Sequence, residues 1–256
     1  PLRVFESSNT TNTGHIIDAL GKIEEYINNG SVSNLKVINL SLGGYTDDAS
    51  LHSWIQKLRN TYGLTIVCSG GNGDDNYKPI TAPCYPSDYD ECISVTSLTK
   101  SGAHSAWCDY NASKDISAPG EEILTTSNTG EYVTTQGTSL SAPIVSGMVA
   151  MLLAAQPSAL PQDIYSALRE GAGSISGTAN PSNGSAGAAD AIGALDALGV
   201  DVSDAIRPPW SDDFLRQEHK VQDQHKIHAQ CHGRIRQVQI HAQRHVADGG
   251  RLSVRK

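Results

Sequence analysis

The sequence predicts an α/β fold, a mostly parallel sheet with helices on both faces. Three observations carry that expectation. Short β-rich apolar runs at 35–40, 64–68 and 92–96 alternate with segments whose apolar residues recur at helical spacing. Two of these runs stop in glycine-rich loops, Gly43-Gly44 and Gly70-Gly71, and open sheets bind ligands outside the carboxyl ends of their strands. A third segment, 144–155, is apolar nearly all round, the mark of a buried helix.

In chain order, residues 2–6 read as a short strand. Ile16, Ile17, Leu20, Ile23 and Ile27 give helical spacing to 14–29, which Gly30 ends. Leu51, Trp54, Ile55 and Leu58 do the same for 49–62. Ile123–Thr126 and Tyr132–Thr135 flank Ser127-Asn128-Thr129-Gly130 and predict a hairpin. Pro161–Glu170 is a short amphipathic helix, and a weaker one covers 186–198. The hairpin leads into Gly137-Thr138-Ser139-Leu140-Ser141-Ala142-Pro143, a turn that delivers a serine to the start of the apolar helix. A helix N-terminus leaves N–H groups unpaired and carries partial positive charge, so it favours an oxyanion beside that serine. Pro143 is read as lying in the first turn, where a missing N–H costs little. A plain N-cap role for Ser139 is the alternative at this point.

Composition bounds the rest. The 256 residues carry a net charge of −8. That figure hides an asymmetry: 1–206 hold 9 basic and 22 acidic residues, whereas 207–256 hold 10 basic and 5 acidic residues and six of the nine histidines. One domain, 1–202, is therefore expected, with 203–256 a linker and a basic His/Gln-rich tail that is disordered or out of frame. A metal- or polyanion-binding role for the tail is the weaker reading. No run of 18 or more apolar residues occurs, so no membrane span is expected. No nucleic-acid partner is expected, and the chain should be a monomer. Glycine-rich loops also occur in nucleotide sites, but Ser69-Gly70-Gly71-Asn72-Gly73 does not fit a dinucleotide fingerprint and no Gly-Lys-Ser/Thr loop is present. Cys68, Cys84, Cys92 and Cys108 fit no zinc spacing. They leave three disulfide connectivities open, with free buried thiols as the alternative. An acidic, cysteine-bearing body favours an extracellular or cell-surface setting. Asn9, Asn111 and Asn183 begin glycosylation sequons.

Four segments in order resemble the subtilisin-like serine peptidases (subtilases): Val37-Ile38-Asn39-Leu40-Ser41-Leu42-Gly43-Gly44, Ser69-Gly70-Gly71-Asn72, Ile116-Ser117-Ala118-Pro119-Gly120, and the Ser139 motif. The similarity covers roughly residues 2–200 and implies that family's three-layer fold. It implies that Ser139 attacks the scissile carbonyl to form an acyl-enzyme, with its own N–H and the Asn72 amide holding the oxyanion. It implies that Ser41, Leu42 and Gly43 pair with the substrate backbone. With Ser69, Gly70 and Gly71 they would wall the pocket for the residue before the cut bond, near a floor at Cys84. Substrates would be proteins or peptides. No cofactor is assigned; a structural calcium ion is the one allowance, with Asp74 and Asp75 candidates by charge alone.

The family's order is Asp, His, Ser, and the Asp strand and His helix precede the segment that Leu2-Arg3-Val4-Phe5 resembles. His15, His52 and His104 are read as surface histidines. The chain is accordingly expected to be the C-terminal two-thirds of a subtilase catalytic domain, lacking its N-terminal strands and inactive alone. A non-catalytic pseudo-enzyme or peptide-binding module is the alternative.

Overall fold

The computed structural model describes residues 1–5, 10–127, 130–176, 185–203 and, by backbone alone, 236–241. Among the described residues seven strands run in chain order. They are β1 (Leu35–Ser41), β2 (Thr65–Ser69), β3 (Cys92–Leu98), β4 (Ile116–Pro119), β5 (Ile123–Thr126), β6 (Tyr132–Thr135) and β7 (Arg236–His241). Five of them form one parallel sheet in the order β4-β3-β2-β1-β7. Every residue of β2 and β3 is buried, as expected of strands covered on both faces. Strands β5 and β6 form the expected antiparallel hairpin.

Helices α1 (Thr13–Asn28) and α2 (Ala49–Asn60) cover one face. Their Leu20, Ile23, Ile55 and Leu58 pack with Ile38, Leu40, Ile66 and Cys68 of the sheet. Helices α3 (Thr138–Ala155), α4 (Pro161–Glu170) and α5 (Ala191–Ala197) cover the other. There Val145, Val149 and Leu152 of α3 meet Val37, Val67, Ile93, Val95 and Ile116. The period of two along β1 thus sends Ile38 and Leu40 one way and Val37 the other, toward α3. By length and composition α3 could cross a membrane; here it is the central helix over the sheet, half buried.

Several expectations are corrected. Residues 2–5 make no strand; Val4 is buried against the α1 side of the core, so apolar character there serves packing. The expected 186–198 helix starts only at Ala191, because Asp190 caps it and Ala188 bridges to Gly173 and Ser117 instead. Within the 203–256 segment, Arg236–His241 is a strand paired in parallel with β1, so the outer edge of β1 is occupied. The remainder of that segment beyond Ser203 lies outside the described residues. The four cysteines are free, buried thiols, which removes the disulfide argument for an oxidising compartment. Asn111 donates its Nδ2 to Asp88 at 2.7 Å, so that sequon's amide is engaged inside the protein; Asn9 and Asn183 lie outside the described residues.

Candidate active site

The carboxyl ends of β1 and β2 and the N-terminus of α3 converge. Gly137 is the N-cap of α3 with φ 151°, in the region that favours glycine. A Cβ placed on it would lie 3.7 Å from Asn72 Nδ2 and 3.8 Å from the Ser139 backbone nitrogen. The Asn72 amide is oriented from its other end: Oδ1 accepts from the Thr138 N–H at 2.9 Å and from Thr138 Oγ1 at 2.7 Å. That leaves Asn72 Nδ2 near Gly137, where the Ser139 N–H, a first-turn group without a helical acceptor, also lies.

Ser139 is half-buried. Its Oγ donates to the Ser41 carbonyl at 3.5 Å, and its own carbonyl accepts from Ser41 Oγ at 2.8 Å. The second contact corrects the reading of Pro143. Helix α3 starts at Thr138, so Pro143 lies beyond the first turn and lacks the N–H that would have met the Ser139 carbonyl. Ser41 supplies the missing donor from another strand. It is backed by a buried chain: Asn39 Nδ2 donates to Ser41 Oγ at 2.9 Å, and Ser146 Oγ lies 2.9 Å from Asn39 Oδ1. Asn39, Ser41 and Ser146 are all buried.

The two glycine loops lie side by side. Ser69 Oγ donates to the Leu42 carbonyl at 3.4 Å. Gly44 and Tyr85 exchange both backbone hydrogen bonds, at 2.9 and 2.7 Å, which brings Cys84 under Gly43. Gly70 donates to the Val95 carbonyl at 2.8 Å, continuing the ladder past β2. Gly71 has φ 107°, and a Cβ there would overlap Asp109 Oδ2. Asp109 holds the loop after Asn72 by accepting from the Gly73 and Ile80 N–H groups at 2.9 and 2.7 Å, with the Tyr45 hydroxyl at 2.7 Å. Burial pushes its carboxyl upward, and those hydrogen bonds only partly offset the shift.

Behind Cys84 lies a fully buried ion pair, Lys114 Nζ to Asp88 Oδ1 at 2.6 Å. Burial alone would raise the Asp88 carboxyl; Lys114, Asn111 and the Cys84 N–H outweigh it and hold the carboxyl below its usual value. Burial pushes the Cys84 thiol up to about 12, so it stays neutral.

All the expected site residues, Ser41, Leu42, Gly43, Ser69, Gly70, Gly71, Asn72 and Ser139, are thus brought together. Sequence reasoning misses Thr138, Asn39, Ser146, Asp109 and the Lys114–Asp88 pair. Two carry a sequence signal: Thr138 stands inside the Ser139 motif, and Asn39 is a polar residue in register with Ser41 among Val37, Ile38 and Leu40. One histidine departs from expectation, while His52, its side chain 35% exposed, stays at the surface as expected. His104 is buried, and that burial lowers its pKa. His52 pairs with Glu91 at 2.9 Å and stacks on Tyr89 with ring centroids 4.0 Å apart. Neither partners Ser139. Asp74 Oδ1 caps its own loop, accepting from the Asn76 and Lys78 N–H groups. Among the described residues no group of three or more His, Cys, Asp or Glu is arranged to hold a metal.

A parallel sheet whose strand ends face a helix-borne serine and an asparagine amide defines the class of α/β serine peptidases. The sequence profile described as "Subtilase family" matches residues 1–198, and the chain belongs to that family. It is 34% identical over 143 residues to "Thermitase" of Thermoactinomyces vulgaris, covering 56% of this chain and 48% of that protein. It is 33% identical over 126 residues to "Major intracellular serine protease" of Bacillus subtilis (strain 168), covering 49% and 39%. The chain therefore spans about half or less of the length of these relatives. Among solved structures, "Structure of Prenylagaramide maturation protease PagA" aligns with TM-score 0.65 and 25% identity over 77% of this chain and 72% of that one. A structure of proteases from Pseudoalteromonas arctica aligns with TM-score 0.63 and 28% identity over 73% and 59%. The relatives include an "Extracellular protease" of Xanthomonas campestris as well as the intracellular enzyme, so family membership does not assign a compartment.

Proposed function

We propose that this chain carries the nucleophile, oxyanion donors and substrate-binding strand of a serine endopeptidase that acts on protein or peptide substrates. The observation that carries the reading is the pairing of Asn72 Nδ2 and the Ser139 N–H around the space left by Gly137. Substrate backbone lies along Ser41–Leu42–Gly43 as an added strand. Ser139 Oγ attacks the carbonyl carbon, and the oxygen takes up negative charge between the two donors. The C–N bond breaks, the amine leaves with the proton taken from Oγ, and water then hydrolyses the acyl ester. The base that receives the Oγ proton comes from outside the described residues of this chain, because the Oγ here donates to the Ser41 carbonyl and the described histidines are placed elsewhere. An extracellular or cell-surface setting fits the acidic body and is part of this proposal.

Two measurements test it. The 256-residue chain should show no peptide-ester turnover above that of Ser139→Ala; robust turnover abolished by that substitution would place a base within the chain. A peptidyl boronic acid should give a tetrahedral boron signal in boron NMR with the unmodified chain and none with Ser139→Ala. Ser139-independent binding would instead support a non-catalytic peptide-binding module.

A further inference from the structure

The space between the two glycine loops is where a substrate side chain on the acyl side of the cut bond would descend. A strand laid along Ser41–Leu42–Gly43 points alternate side chains into it. The walls are close, with Ser69 Oγ reaching the Leu42 carbonyl at 3.4 Å. At its depth lies a sulfur atom. A Cβ built on Gly43 would lie 2.9 Å from Cys84 Sγ and 3.3 Å from the Tyr85 carbonyl. Cys84 is 2% exposed, so no open cavity stands above the thiol.

Nor can the thiol step aside cheaply. The Cys84 N–H donates to Asp88 Oδ2 at 3.0 Å. Asp88 is fixed in turn by Lys114 at 2.6 Å, by Asn111 at 2.7 Å and by Ser87 Oγ at 2.8 Å. The next residue, Tyr85, is tied to Gly44 by both of its backbone groups. Lys114 and Asp88 have side chains 0% and 1% exposed, so a shift of Cys84 would pull on a buried ion pair, whose disruption is costly. The Lys114 stem also packs under the second wall, with Cδ 3.5 Å from a Cβ built on Gly70.

We propose that Cys84, braced by the Asp88–Lys114–Asn111 network, closes this pocket, so that the site accepts only glycine, alanine or serine immediately before the scissile bond. The inference rests on the function proposed above and names its substrate class. The neutral thiol makes a shallow, weakly polar floor that a methyl or hydroxymethyl group meets without displacing it, whereas a benzyl or isobutyl group overlaps the sulfur.

Two peptidyl boronic acids with the same body, ending in the alanine or the phenylalanine analogue, test this with the 256-residue chain. Boron accepts the Ser139 Oγ lone pair and the serine proton passes to solvent. The alanine analogue should bind at least about 10-fold more tightly, since pocket discrimination of this kind runs from about 10-fold upward. Cys84→Gly should abolish or invert that ratio, Cys84→Ala should narrow it, and Cys84→Ser, which keeps the volume, should preserve it. Should Cys84→Gly fail to fold, Cys84→Ala carries the test. Equal or tighter binding of the phenylalanine analogue by the unmodified chain overturns the inference. A ratio indifferent to Cys84→Gly and Cys84→Ala does so too. Absence of Ser139-dependent binding of either analogue overturns the functional reading itself, and the inference with it.

Discussion

Ser41→Ala is the sharpest perturbation of the fold at the site. In wild type the Ser41 hydroxyl serves two groups, donating to the Ser139 carbonyl at 2.8 Å and accepting from Asn39 Nδ2 at 2.9 Å. Alanine leaves both unsatisfied, the carbonyl half-buried and Asn39 fully buried. Each such group costs about 1–3 kcal/mol. The carbonyl belongs at the low end because water reaches it in part, so the loss should be about 2–4 kcal/mol. A rescue is also expected. The carbonyl needs Ser41 only because Pro143 has no N–H, so Pro143→Ala restores a helical donor. In the Ser41→Ala background its effect should be more favourable than in wild type by about 1 kcal/mol. In wild type, where the carbonyl already has a partner, it should be neutral or cost about 0.4–1 kcal/mol through greater freedom of the unfolded chain. Urea denaturation of the four proteins at neutral pH measures the cycle. A loss below about 0.5 kcal/mol for Ser41→Ala, or the same effect of Pro143→Ala in both backgrounds, refutes the reasoning.

Other expected outcomes are as direct. Gly71→Ala combines a positive φ with a Cβ that overlaps Asp109 Oδ2, so it should cost about 3 kcal/mol or more by thermal denaturation. Lys114→Met strands the Asp88 carboxylate and should cost about 3–5 kcal/mol at neutral pH, while adding Asp88→Asn, which removes the charge and keeps an acceptor for the Cys84 N–H, should recover part of it. The Asp88 carboxyl is held below its unfolded value, so the stability it contributes is present above about pH 4 and is lost as pH falls through the depressed folded value. Acid unfolding of the double variant should accordingly lack this component. Asp109 has the opposite sign: its folded value is raised, so its contribution is fullest at low pH and is lost as pH rises. Asp109→Asn, which can keep the Gly73 and Ile80 hydrogen bonds, should therefore gain stability relative to wild type as pH rises above about pH 4. A shrinking gain in urea melts would contradict this.

What can be read from the sequence is whatever local pattern determines. Strands β1, β2 and β3, the hairpin and helix α4 follow from apolar periodicity and turn residues within short windows, and they form where expected. Residues 2–5 mislead because one buried Val4 looks the same in a strand as in a packed extended segment. At the site, Ser139, Asn72 and the glycines carry motif-level signals. Most of their supports do not, because they come from distant chain. Ser146 reaches Asn39 across 107 positions, and Lys114 reaches Asp88 across 26. A lysine is ordinarily a surface residue, so nothing local marks Lys114 for full burial. Pro143 misleads for a related reason: its tolerance depends on Ser41, 98 positions from the carbonyl that Pro143 leaves unpaired.

The proposed function makes Ser139 a nucleophile beside the Asn72 amide and takes its base from outside the described residues. Intact-mass spectrometry of the 256-residue chain, incubated with a peptide p-nitrophenyl ester and imidazole, puts that reading to the test. Imidazole takes the Oγ proton, nitrophenolate leaves, and the acyl group remains on Ser139. One added acyl group mapping to Ser139 is expected, and none in Ser139→Ala. Acylation should be about 10²–10³-fold slower in Asn72→Ala, the loss seen for such a donor in a member of this family. Acylation that persists in Ser139→Ala, or that is indifferent to Asn72, would show that the serine and its donors do not act as described.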